Sequence, residues 1–278
     1  MTMIIFHAIL LMPTPGMPHF PPNAFAMYLE YILGVLNGDF GYAWTVAHGM
    51  NPIPVSELIA GSFRYTAFLA VGSIVIAGIF GVILGIIAAL KQNKLTDNII
   101  MVATLIASAI PIFFLAVLLM FIASGGERLG WLPARSTLDD LSTMVLPILT
   151  LAIPSLGFIT RTTRTAMIDV LNMPHITAAR ARGLSERKII FSHALSNMRI
   201  PVINSISLRL VELFVNTVIV EHAFMINGTG ILLLESINNR DRVLMMGIII
   251  VFSLVFILNN LVTDLLGIII DPRVRRTL

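Results

Sequence analysis

The sequence predicts an all-α fold: a polytopic membrane protein with five full spans and part of a preceding one. Three observations predict it. Of 278 residues, 57% are hydrophobic and 12% are charged, against about 25% charged in an average soluble domain. The mean hydropathy is +0.92. Five stretches also carry the roughly 20 mainly apolar residues that a spanning helix needs. The net charge of +3 does not indicate a nucleic-acid partner, because basic residues in membrane chains usually record orientation. The absence of cysteine removes disulfide scaffolds and thiolate metal sites.

The elements follow in order. Residues 1–13 are apolar for only about half a span and end at Pro13, Pro15 and Pro18. They read as the tail of a first span whose beginning lies outside this sequence, or alternatively as an interfacial segment. Residues 14–61 form an extracytoplasmic segment. The transmembrane domain covers 62–270, with spans near 66–90, 99–124, 141–160, 201–224 and 244–270. A tail, 271–278, follows. Gly72, Gly78, Gly81 and Gly85 in the first full span predict close helix contacts. Pro111, Pro147 and Pro154 predict kinks.

Basic residues set the orientation. Lys91, Lys94, Arg161, Arg164, Arg180, Arg182, Arg187, Lys188, Arg199, Arg273, Arg275 and Arg276 fall on one side, twelve of the 18. Arg64, Arg128, Arg135, Arg240 and Arg242 fall on the other, and Arg209 lies within a span. The loop 161–200 and the C-terminus are therefore expected in the cytoplasm.

That loop has its own local order. Asn172 is a candidate cap, Pro174 suits a first helical turn, and HITAARAR favours helix. Gly183 stands where a left-handed stop is expected. Ser185 is placed to cap a second helix, with Glu186 at its positive end, and Pro201 opens the fourth span. Ala178, Ala179 and Ala181 between Arg180 and Arg182 allow another surface to approach, with the arginines available for its carboxylates. The alternative is a solvated basic loop that only records topology.

ITAARARGLS and HALSNMRIP resemble the cytoplasmic loop of ABC importer permeases, in particular the B-type subunit of the dipeptide, oligopeptide and nickel permease family. The family signature Glu-Ala-Ala, three residues, Gly falls on Thr177, Ala178, Ala179 and Gly183. Thr177 departs from the glutamate, and the signature's closing proline is absent near Ser196. GDFGY (38–42), LGIIAALKQNKLTDN (84–98), IPIFFLAVLL (110–119), RLGWLPA (128–134), VEHAFMINGTG (220–230) and NNLVTDLLGIIIDPRVR (259–275) are similar to family segments in the same order. Asn227 and Thr229 replace a proline and a leucine there, which implies a looser turn.

The resemblance implies a type I ABC importer transmembrane fold in a bacterial cytoplasmic (inner) membrane. It implies a second, C-type permease subunit, two cytoplasmic ATPase subunits and an extracytoplasmic substrate-binding protein. Thr177, Ala178, Ala179, Arg180, Arg182, Gly183, Leu184 and Ser185 become the expected ATPase-coupling residues. The expected cargo is a peptide, with nickel or another chelated metal next. This chain is expected to bind no cofactor and no metal and to catalyse nothing. It contains neither GxxxxGK[ST] nor HExxH, so ATP is left to the partner subunits.

The fourth full span is the polar one. Asn204, Arg209, Glu212, Asn216 and Glu221 are its pathway candidates. A charge at the bilayer centre costs about 2.5–3.5 kcal/mol or more, so such groups face protein or water. Arg209 and Glu212, three apart, are placed to pair on one helix face. That pair reads as a hydrated wall or as an internal packing lock. Asp264, in the last span, is expected to be buried. Two other classes fit less of the sequence: an ion-coupled secondary transporter using Arg209 and Glu212, and a membrane enzyme built on Glu212, Glu221 and His222.

Overall fold

In a computed structural model of the chain, residues 24–43, 52–124 and 140–270 are described. The expectations for 1–13, for 128–134 and for the 271–278 tail lie outside them. The described residues are almost wholly helical, and two short strands, β1 (Tyr42–Ala43) and β2 (Ile53–Pro54), pair antiparallel. Among the described residues, four helices are long and apolar enough to cross a membrane, or five if one sharply bent pair counts as a single span. The described residues divide into two compact units, those up to 67 with 226–255 and those from 68 to 225 with 256–270.

In the first unit, α1 (Ala24–Leu36) lies within the segment expected to be extracytoplasmic. The start of α2 (Val55–Leu90) and of α9 (Arg242–Ile270) share a core of Val55, Ile59, Leu244 and Ile248. Gly247 makes this possible, because a Cβ there would stand 2.7 Å from Val55 Cγ1. The sequence places Arg242 among the outward loop residues. It is instead the buried first residue of α9. The segment around Asn227 and Thr229 is not loose. The short helix α8 (Thr229–Asn238) starts with its Thr229 N–H donating to Thr66 Oγ1 at 2.8 Å. The Thr229 hydroxyl lies 3.3 Å from that of Ser62. A buried hydroxyl thus satisfies one of the amides that a helix start leaves open.

In the second unit, α5 (Val145–Leu171), entered through a 3-10 turn at Leu141–Met144, is the central helix. Of the four helices long and apolar enough to cross a membrane, it is the most buried. The glycines act as expected. A Cβ on Gly81 would meet Ile159 Cγ2 at 2.9 Å, and one on Gly85 would meet Thr163 Cβ at 2.6 Å. On the other side, Gly157 of α5 leaves room for Thr104 O and Ser108 Oγ.

Four spans differ from the sequence reading. The first full span begins at Val55, within the segment expected to be extracytoplasmic, and not near 66. The second span is broken into α3 (Leu95–Ala109) and α4 (Ile112–Ser124), bent by 103°. Pro111 has no N–H to donate, and Ile110 before it is extended (φ −72°, ψ 124°). The third span runs on to Leu171, so Arg161 and Arg164 are helical residues and not loop residues. The fourth does not open at Pro201. It is α7, a continuous Glu186–Ala223 helix with a π-helical stretch at Ile189–Ala194 and Pro201 inside it. The amphipathic helix expected before the span is therefore the span's own first turns.

Candidate functional site

Asn172 does not cap the next helix. It closes α5, and Met173 occupies the N-cap of α6 (Pro174–Ala181), with Pro174 in the first turn. Proline is pre-set for that place and loses nothing by lacking an N–H. One side of α6 is apolar and buried. Ile176 is fully buried and Ala179 is 8% exposed, both packed with Met167 and Val170 of α5 and with Ile189, Ala194 and Met198 of α7. Full burial of one isoleucine side chain contributes about 1.5–3 kcal/mol, so α6 is seated on this chain by its own core.

Gly183 ends the helix at φ +77°, in the left-handed region, with nothing within 4 Å of where a Cβ would be. Two hydrogen bonds close the turn: Gly183 N–H to Arg180 O at 2.9 Å and Leu184 N–H to Ala179 O at 3.3 Å. This is the Schellman pattern, and Leu184 packs against the same core as Ala179, as that motif favours. Ser185 takes the N-cap of α7 but makes no side-chain cap. The turn is instead bridged by Arg180 Nε to Glu186 Oε1 at 2.8 Å, and this hydrogen bond raises the Arg180 pKa above its ordinary value.

The eight expected coupling residues therefore divide. Thr177, Ala178, Arg182, Gly183 and Ser185 are exposed. Arg180 is exposed but engaged with Glu186 within the chain. Ala179 and Leu184 pack inward, which corrects the expectation that Ala179 meets another surface. The exposed face of α6 with its flank is His175, Thr177, Ala178, Ala181 and Arg182, and Arg187 and Lys188 follow it.

Behind this element sits an anchor that the sequence did not disclose. Arg164 of α5 donates from Nε to Asp97 Oδ1 at 2.6 Å and from Nη2 to Asp97 Oδ2 at 2.7 Å. Asp97 is 1% exposed and also accepts the Asn93 amide at 2.9 Å. Asn93 is itself left-handed (φ 61°), a conformation asparagine tolerates better than most residues. The turn 91–94 is thereby tied to α5. One turn up, Arg161 Nη1 donates to Thr104 O at 2.9 Å and Ser108 Oγ at 3.1 Å, just before the α3/α4 break.

The pathway candidates lie along α7. Asn204 and Glu212 are exposed, Arg209 and Asn216 are half-buried, and Glu221 is fully buried. Arg209 Nη1 donates to Glu212 Oε2 at 2.6 Å and its guanidinium stands 4.0 Å over the Phe158 ring of α5. A polar stitch, Asn259 Nδ2 to Ser207 Oγ at 2.7 Å and Thr263 Oγ1 to the same oxygen at 2.6 Å, joins α9 to α7. Asp264, expected to be buried, is exposed on α9. Among the described residues no group of three or more His, Asp or Glu is placed to hold a metal.

The family model described as binding-protein-dependent transport system inner membrane component matches residues 81–276. The glutathione transport system permease protein GsiC of Salmonella typhimurium LT2 is 37% identical over 248 residues, 89% of this chain and 78% of that protein. Its Escherichia coli K12 counterpart is 36% identical over the same shares. The chain belongs to the binding-protein-dependent inner membrane permeases. It is thus a permease subunit of an ABC importer, a multi-pass protein of the inner membrane. A chain of the MetNI methionine ABC transporter, solved in inward-facing conformations, shares the permease fold with a TM-score of 0.62 at 15% identity. The match covers 77% of this chain and 96% of that one.

Proposed function

We propose that this permease forms half of a peptide translocation pathway and that α6 with its Gly183 turn is the helix gripped by an ATPase. The observation that carries the reading is the division of α6 into a face buried on its own chain and an exposed face of small and basic residues. A structure needed only to carry positive charge would not require a helix seated by Ile176 and Ala179 and closed by a glycine turn. The partners in this reading are a second, C-type permease, two ATPase subunits that alone use ATP, and an extracytoplasmic binding protein.

Transport is by alternating access. Closure of the ATPases draws the coupling helices together, the spans rock to open outward, and hydrolysis reverses the motion. The α7 helix supplies the lever: from Glu186 to Arg209 it rises about 35 Å at 1.5 Å per residue. The C-terminus and the turn 91–94 stand on the cytoplasmic side. Peptide is favoured over nickel because the relatives compared carry glutathione, itself a peptide, in their names. The test is uptake of labelled trialanine by a strain lacking this gene, with and without the gene restored. Uptake that returns only with the gene supports the reading, and uptake unchanged by its loss refutes it.

A further inference from the structure

Arg209 and Glu212 sit near the middle of the polar span, and the Glu212 side chain is 52% exposed. A carboxylate turned to lipid at that depth costs about 2.5–3.5 kcal/mol or more, so this side of α7 meets water or protein. The pair lies on one helix three residues apart. Its ion bond therefore cannot lock α7 to a neighbour. What holds Arg209 is Phe158, against whose ring face the guanidinium is stacked. Glu212 engages the guanidinium through Nη1, whereas the arginine fork matches a carboxylate with two parallel N–H groups.

The local charge is also unbalanced. Arg161 follows Phe158 by three residues on α5, on the same helix face. Its hydrogen bonds go to the neutral Thr104 O and Ser108 Oγ, and among the described residues it has no ion-pair partner. Two guanidinium groups thus stand against one carboxylate on a side of the helix that meets water or protein.

We propose that Arg209, with Arg161 behind it, binds a carboxylate of the transported solute, which takes the place of Glu212 on the guanidinium. This rests on the reading of α7 as a pathway wall in a peptide importer. Phe158 keeps the guanidinium in place while its counter-ion changes, so the exchange needs no movement of the helix. Removal of Glu212 then leaves a site that attracts small anions. Clefts of one sign raise the arrival rate of opposite charges by about 10- to 1,000-fold.

The chain contains no cysteine, which allows a direct test in the assembled transporter. Glu212→Cys is expected to react with an anionic methanethiosulfonate about tenfold or more faster than with a cationic one of similar size. Adding Arg209→Gln is expected to abolish that preference, and Arg209→Gln alone to lower trialanine uptake by about tenfold or more. A position 212 that reacts with neither reagent, or faster with the cation, overturns the proposal. So does an Arg209→Gln transporter that assembles and takes up trialanine at the normal rate. Because Glu212 is half exposed, its replacement decides the question even if Arg209→Gln fails to assemble. If the wild type takes up no trialanine but the anion preference holds, the peptide reading fails and the anion site stands.

Discussion

Gly183→Val is expected to abolish coupled transport while leaving the protein inserted and folded. The position is open, with nothing near a new Cβ, so the effect is conformational and not steric. A β-branched residue held at φ +77° is strained by roughly 1–2 kcal/mol or more. Relief of that strain breaks the hydrogen bonds from Gly183 and Leu184 that close α6 and redirects the start of α7. Gly183→Asn, which tolerates the left-handed region, is expected to keep most of the activity. The measurement is binding-protein-stimulated ATP hydrolysis together with trialanine uptake in reconstituted vesicles. If valine and asparagine at this position behave alike, the left-handed turn is not what coupling requires.

Arg164→Ala is expected to give the largest loss of stability. It strands Asp97, 1% exposed, without its bidentate partner. Breaking a buried pair from one side costs about 3–5 kcal/mol. Arg164→Lys keeps the charge but not the fork, and is expected to fall between the two. Replacing both partners, Asp97→Asn with Arg164→Gln, removes the charges together and is expected to recover part of the loss. A denaturant titration of the purified protein in detergent, run as a double-mutant cycle, reads the coupling directly. A coupling near zero would show that the contact seen here carries no energy.

Much of the fold was legible in the sequence because a bilayer demands long apolar runs, and these are counted directly. The glycines at 81 and 85 were legible as contacts because small residues let helix backbones approach. Gly183 was legible because a glycine after ARAR, before Leu-Ser, marks a helix stop. What could not be read is where charge is absorbed by another part of the chain. Arg161 and Arg164 looked like loop residues, yet Asp97, Thr104 and Ser108 accept their hydrogen bonds and let α5 continue to Leu171. Asp97 at the start of α3 was a visible acid, but nothing local names its partner 67 residues away. Ala179 was misplaced for a related reason: α6 spans eight residues, too few for periodicity to say which alanine faces in. The break at Pro111 was visible as a proline, but its 103° angle was not.

In the proposed assembly the exposed face of α6 meets the ATPase, while the buried face belongs to this chain. Single cysteines at neighbouring positions separate the two. In the assembled transporter, Ala178→Cys and Arg182→Cys are expected to cross-link to the ATPase with a short thiol-to-amine reagent. Ala179→Cys, facing Met167 and Ile189, is expected not to. An intact transporter in which positions 178 and 182 give no cross-link, or in which position 179 cross-links as well as they do, would contradict the assignment of this face as the docking surface.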